Sequence, residues 1–212
     1  VVTANKRSQS INSVPMSITA ASGDTLLQKG IVDTSDLVKA VPGFAFTQSP
    51  HSTPVYTLRG VGLFDYGLGS SPAVAVYVDE VPLTSTSMGA GSTLDLERVE
   101  VLKGPQGTLF GQSSTGGAIN YIAAKPTDTL QAGGSVTYER FGKIDATGYI
   151  SGPVSDTLNA RFSGRVVQGG DWQKSVTRPD DRAGAQRLFS GRLLLDWTPS
   201  DRLTLRLNVN GN

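Results

Sequence analysis

Over residues 131–212 the chain alternates with a period of two, and the residue that recurs on the polar side of the alternation is arginine. Leu158, Ala160, Phe162, Gly164 and Val166 interleave with Asn159, Arg161, Ser163 and Arg165. Phe189, Gly191, Leu193, Leu195 and Trp197 interleave with Arg192, Leu194 and Asp196, where only Leu194 breaks the rule. Leu203, Leu205, Leu207 and Val209 oppose Arg202, Thr204, Arg206, Asn208 and Asn210. Two weaker segments, about 134–140 and 144–151, set Val136, Tyr138, Ile144, Ala146 and Ile150 against Ser135, Thr137, Glu139, Asp145 and Thr147. Successive side chains of a strand point to opposite faces, so the pattern predicts four or five antiparallel strands, each with one apolar and one polar face.

Periodicity alone leaves two readings open, a soluble sheet with its apolar face on a core or membrane-spanning strands with lipid outside and water inside. Connection lengths favour the second. Short turns at 152–156 and 198–201 flank a long polar loop over 169–186, as in barrels with tight turns at one end and long loops at the other. The strands run about nine to eleven residues, the length that crosses a bilayer. Trp197 sits beside a turn, where an aromatic girdle lies. A lipid-facing arginine near the midplane costs about 2–4 kcal/mol. Placing Arg161, Arg165, Arg192 and Arg206 in lipid would therefore cost about as much as a whole domain's stability. The arginines are expected to face the lumen and the apolar faces lipid. About eight strands are needed to close a barrel. The remaining strands are thus expected from the same longer polypeptide or from a partner chain.

Residues 1–126 follow a different grammar. Helices are expected at 24–29, capped by Asp24, and at 35–41, capped by Ser35 and stopped by Pro42-Gly43. Strands are expected at 55–59, 74–78, 81–83, 98–102 and 119–123, giving a compact α+β domain with a small mixed sheet. Residues 127–212 form a second domain of strands.

Composition excludes several functions. With no Cys there is no disulfide framework, thiol nucleophile or cysteine-ligated metal. His51 is the lone histidine, in a proline-flanked loop, so neither a histidine-based triad nor a histidine metal site is expected. The net charge of +1 provides no field to recruit nucleic acid. No apolar run approaches the ~20 residues of a transmembrane helix. Asp95, Glu97 and Glu100 are close in sequence, but on a strand Glu100 shares a face with Arg98 rather than Glu97, which predicts structural pairing over acid–base catalysis. The glycines of 104–117 lack a following Gly-Lys-Ser/Thr and read as tight turns, not a phosphate loop. No catalytic residue, metal site or cofactor is expected. The chain starts at Val1 without a charged or apolar leader, which fits a cytosolic protein or one whose signal has been removed.

The run Asp95-Leu96-Glu97-Arg98-Val99-Glu100-Val101-Leu102-Lys103-Gly104-Pro105-Gln106-Gly107-Thr108-Leu109-Phe110-Gly111, followed by Thr115-Gly116-Gly117-Ala118-Ile119-Asn120, closely resembles the plug-domain motif of TonB-dependent outer-membrane receptors. Val1-Val2-Thr3-Ala4, Asp36-Leu37, Val41-Pro42-Gly43, Leu58-Arg59-Gly60 and Ala75-Val76-Tyr77-Val78-Asp79 resemble further pieces of that family in its order. Glu80 departs from a frequent glycine, and Gln112-Ser113-Ser114 from a frequent Arg-Asn-Ala.

The resemblance implies a plug inside a barrel of about 22 strands, in the outer membrane of a Gram-negative bacterium. It implies a transporter whose plug is remodelled by force relayed through TonB from the inner membrane. The expected cargo is a siderophore-type ferric chelate, with cobalamin, haem or a glycan as other cargoes of the class. Val1, Val2, Thr3 and Ala4 resemble the end of a TonB box, an extended segment that adds a strand to TonB's sheet. Arg59 and Lys103 stand where the family's plug cations pair with barrel carboxylates as a latch. Phe64, Asp65, Tyr66 and Met88 fall in loops that in the family reach toward the ligand. Chelated iron is already ligated, so such contacts would be aromatic and hydrogen-bonding, not coordination. Two rivals are a plug-bearing subunit of a split barrel without transport of its own and a soluble two-layer binding protein.

Overall fold

The computed structural model of the chain describes residues 2–3, 9–49, 53–63, 71–84, 93–111, 113–178 and 180–211. The chain divides into two compact units, Val1–Ala124 and Lys125–Asn212.

The first unit contains β1 (Ser17–Ser22), α1 (Gly23–Gln28), β2 (Phe44–Gln48), β3 (Pro54–Leu58), β4 (Val74–Val78), β5 (Val81–Pro82), β6 (Leu96–Lys103), α2 (Gly107–Phe110) and β7 (Gly117–Ala123). Its main sheet has the order β1-β6-β7-β4-β5, while β2 and β3 pair separately. Only β4 and β7 run parallel in that mixed sheet. All seven residues of β7 are buried, which is why Gly-Ala-Ile-Asn-Tyr-Ile-Ala is a near-continuous apolar run rather than an alternating one. One sheet face packs Val74, Val76, Val99, Val101, Ile119 and Tyr121 beneath α1 and a 3-10 helix over Thr34–Lys39. The other face packs Tyr77, Leu102 and Ala118 against Val2, Val14 and Phe110.

Both helices start one residue earlier than expected, and their caps lie two residues earlier. Ser22, not Asp24, caps α1, its hydroxyl accepting the Thr25 N–H at 3.2 Å. Asp33, not Ser35, is the N-cap of the second helix, which is a 3-10 turn. There the Asp36 carboxylate accepts the N–H groups of Val32 and Asp33, both at 3.2 Å. At α1 the acceptor precedes the first turn, whereas at the second helix a first-turn carboxylate reaches back to N–H groups that precede the helix. Strand β2 had no counterpart in the sequence reading. Its Phe-Ala-Phe-Thr-Gln is exposed except at Phe44 and Phe46, too short a half-buried run to stand out.

Close backbone approach governs the join between α2 and β7. A Cβ on Gly117, whose φ is +142°, would sit 2.2 Å from the Leu102 carbonyl oxygen and 2.7 Å from Leu58 Cδ1. Only glycine fits this position.

The second unit is a sheet of β8 (Gln131–Glu139), β9 (Lys143–Ser155), β10 (Leu158–Gly169), β13 (Gln186–Ser200) and β14 (Leu203–Gly211), ordered β14-β13-β10-β9-β8. A small pair, β11 (Gln173–Lys174) and β12 (Arg182–Ala183), lies within the long loop. All pairings are antiparallel. Strands β9, β10 and β13 reach 13, 12 and 15 residues, beyond the expected length. The sheet is open, with β8 and β14 as its edges.

Candidate functional site

On the second unit the faces sort in the inverse order of a soluble domain. Asp145, Ser151, Arg161, Ser163, Arg165, Ser190 and Arg192 are buried, whereas Val136, Tyr138, Phe162, Val166, Phe189, Leu205 and Leu207 are exposed. Leu194, the exception to the alternation, is buried on the polar face. Arg165, Asp145 and Arg161 find partners within the sheet. Arg165 bonds both carboxylate oxygens of Asp145, and the Arg161 guanidinium lies 3.9 Å over the Tyr149 ring. Nearer the edge, Arg206 bonds both oxygens of Asp196 at 2.6 and 2.5 Å. A sheet with paired charges inside and bare Val, Leu and Phe outside is stable only where the outer solvent is apolar.

In the first unit, Val2 and Thr3 lie against the sheet face that carries Leu102 and Tyr77, while Val1 and Ala4 lie outside the described residues. Val2 is fully buried and exchanges two backbone hydrogen bonds with Gln9, at 2.8 and 2.9 Å. Thr3 donates its N–H to both carboxylate oxygens of Glu100, at 2.9 and 3.0 Å. Its hydroxyl lies 3.3 and 3.2 Å from the same two oxygens. Glu100 is completely buried, and Arg98 Nε donates to it at 2.7 Å. A carboxylate removed from water requires such donors, because unpaired it carries a penalty of several kcal/mol. The pairing of Glu100 with Arg98 follows the expected strand face. Its hold on Thr3 was not anticipated. The available signal was a lone acid inside the apolar run Val99-Glu100-Val101-Leu102.

Arg59 and Lys103, far apart in sequence, meet at one end of the sheet. Arg59 follows β3 with φ of +52° and donates from Nη2 to Ser17 Oγ at 2.6 Å. Ser17 is the β1 partner of Lys103. Burial, and next the nearby Arg59 charge, lower the Lys103 ammonium from its ordinary pKa. Among the described residues neither cation forms an ion pair with a carboxylate. Two adjacent cations, one in an uncommon left-handed backbone conformation, form an electrostatic demand for an anion. Phe64, Asp65, Tyr66, Met88 and His51 lie outside the described residues.

An α+β unit followed by antiparallel strands that expose their apolar face is the combination expected of a plug-bearing outer-membrane barrel protein. Residues 10–118 match the TonB-dependent receptor plug domain. The pesticin receptor of Yersinia pestis is 35% identical over 213 residues, covering 95% of this chain and 30% of that receptor. The chain belongs to the TonB-dependent receptor family, proteins of the Gram-negative outer membrane. The ferripyoverdine receptor of Pseudomonas aeruginosa is 26% identical and aligns with 100% of the chain and 25% of its own length. Among solved structures, the ferric yersiniabactin uptake receptor FyuA from Yersinia pestis superposes with a TM-score of 0.67 at 30% identity, covering 88% of this chain and 29% of that one. FpvA from P. aeruginosa bound to a heterologous pyoverdine gives 0.80 at 20% identity over 98% of this chain and 26% of that one, a likeness of fold. The chain thus spans about a third or less of the relatives it matches.

Proposed function

We propose that this chain is the plug and part of the barrel of a receptor that imports a ferric siderophore-type chelate across the outer membrane. The observation that carries this reading is the 30% identity, at a TM-score of 0.67, to a ferric yersiniabactin uptake receptor. The chain's role is binding and transport, without catalysis. The plug gates the barrel, and the chelate is cargo, its iron already held by the siderophore.

TonB is the energising partner. Val1, Val2, Thr3 and Ala4 are the remnant of the segment it captures by strand addition, a mode that needs only backbone hydrogen bonds and an extended segment. Arg59 and Lys103 latch the plug to carboxylates of the barrel, and their proximity supports a shared anionic partner. Phe64, Asp65, Tyr66 and Met88 supply aromatic and polar contacts to the chelate.

Energised uptake of labelled ferric yersiniabactin by cells expressing the whole receptor tests the reading, with Val2→Pro as the discriminating variant. Proline removes a donor N–H and blocks strand addition. Uptake falling to background in Val2→Pro, with surface binding retained, is expected. Unchanged uptake would remove the assignment of residues 1–4, and absence of uptake by the parent receptor would remove the cargo class.

A further inference from the structure

Glu100 has a neighbour that its present hydrogen bonds do not use. Asn120 on β7 is the cross-strand partner of Glu100 on β6, so the two side chains rise from the same sheet face about 5 Å apart at Cβ. Asn120 is fully buried. Its Oδ1 accepts the Glu80 N–H at 3.1 Å, while its Nδ2 has no hydrogen-bond partner. Exchanging the amide O and N would set the NH2 against the Glu80 N–H, so the orientation is fixed. A buried amide donor left unbonded is rare and costly, and here it stands beside a buried carboxylate filled by other donors.

We propose that Glu100 and Asn120 form a donor-exchange latch for the N-terminal segment. With the segment stowed, Thr3 N–H and Oγ1–H fill the carboxylate and Asn120 Nδ2 waits unbonded. When the segment is drawn away, Nδ2 takes the vacated oxygen, and Arg98 Nε holds the other. The exchange removes the main obstacle to release, a buried carboxylate stripped of its donors. It also places the unsatisfied group on the stowed state rather than the released one. The stowed and released states are brought closer in free energy, so a modest pull or ligand signal shifts the population. The significance of the latch for TonB capture rests on the reading of residues 1–4 above, but its chemistry does not.

The test uses the whole receptor purified in detergent, without TonB or cargo, carrying Val2→Cys as a buried reporter. The rate of modification by a membrane-impermeant maleimide reads release of the segment. Val101→Cys, buried on the opposite sheet face, is the reference for general opening. Glu100→Gln is expected to speed labelling at position 2 roughly tenfold, since it weakens hydrogen bonds to a charged acceptor. Asn120→Leu is expected to slow it several-fold, because the released state loses its reserve donor. If Asn120→Leu raises labelling at position 101, Asn120→Ala replaces it and must show the same slowing. Unchanged position-2 rates in Glu100→Gln, or rates in the Asn120 variants equal to or faster than the parent, would overturn the latch. Since no TonB or cargo enters the assay, failure of the transport reading shows only in uptake and failure of the latch only in labelling.

Discussion

Arg165 reaches Asp145 through two hydrogen bonds, Nε to Oδ1 at 3.0 Å and Nη2 to Oδ2 at 2.6 Å, within a sheet face where both side chains are nearly excluded from solvent. Breaking such a pair from one side leaves an uncompensated buried charge and costs about 3–5 kcal/mol. Asp145→Ala in the whole receptor is expected to lower unfolding stability by that amount. The double variant Asp145→Leu, Arg165→Met should recover most of the loss, because an apolar pair carries no desolvation penalty. A double-mutant cycle by denaturant unfolding in detergent checks it, and additive losses would contradict the pairing.

The turn between β4 and β5 holds Asp79 and Glu80 at φ of +48° and +69°. Asp79 is useful there, its Oδ1 accepting the Ala123 N–H at 2.9 Å. Glu80 donates its backbone N–H to Asn120 Oδ1 at 3.1 Å, a bond that any residue can supply. A left-handed non-glycine residue costs about 1–2 kcal/mol. Glu80→Gly is expected to be more stable than Glu80→Ala by about 1 kcal/mol, read as a higher unfolding midpoint, because both lack the side chain and only glycine relieves the backbone, whereas Asp79→Gly should lower stability through loss of the bond to the Ala123 N–H.

Burial pushes the Tyr56 phenol up to about 12 and the Tyr121 phenol well above its ordinary value. The neutral phenols therefore favour the folded plug at every pH below the unfolded value of about 10, and that contribution is lost as pH rises through the folded-state values. Alkaline unfolding of the plug is expected, with tyrosine ionisation and loss of near-ultraviolet circular dichroism occurring together. Tyr121→Phe should move the transition to higher pH. At neutral pH it should cost about 1 kcal/mol for the lost bond to Thr34 Oγ1. Ionisation of all tyrosines near pH 10 without unfolding would contradict the burial argument.

Lys103 titrates in the opposite sense. Its lowered pKa, caused first by burial and then by Arg59, means that its charge opposes folding below that pKa. The penalty fades as pH rises toward the unfolded value of about 10.4. Arg59→Gln is expected to raise the Lys103 pKa only in part, since burial remains, as measured by NMR of methylated lysines. With a shared carboxylate, energised uptake in Arg59→Met, Lys103→Met should fall less than the product of the single losses.

Residues 158–169 show how much was legible along the chain. Strict alternation places Arg161, Ser163 and Arg165 on one face and Phe162 and Val166 on the other, and the cost of arginine in lipid settles which face is inward. No tertiary information was needed, because strand periodicity is a property of neighbours in sequence. The motif around Glu97-Arg98-Val99-Glu100 likewise carried the family by itself. The contact between Thr3 and Glu100 spans 97 positions, and that between Arg59 and Ser17 spans 42. No local pattern encodes either, since each exists only after β1, β6 and β7 have taken their order in the sheet. The helix caps fall between these cases. Ser22 and Asp33 are local, but whether a side chain or its neighbour reaches the open N–H groups depends on the angle at which the chain enters the helix, and packing on the sheet sets that angle. Sequence alone thus determined the class of fold and the sense of the barrel face, because both follow from side-chain polarity read at a fixed period. Tertiary structure alone decided which buried acid holds Thr3 and which two cations lie side by side, because those neighbours meet only once distant strands are adjacent.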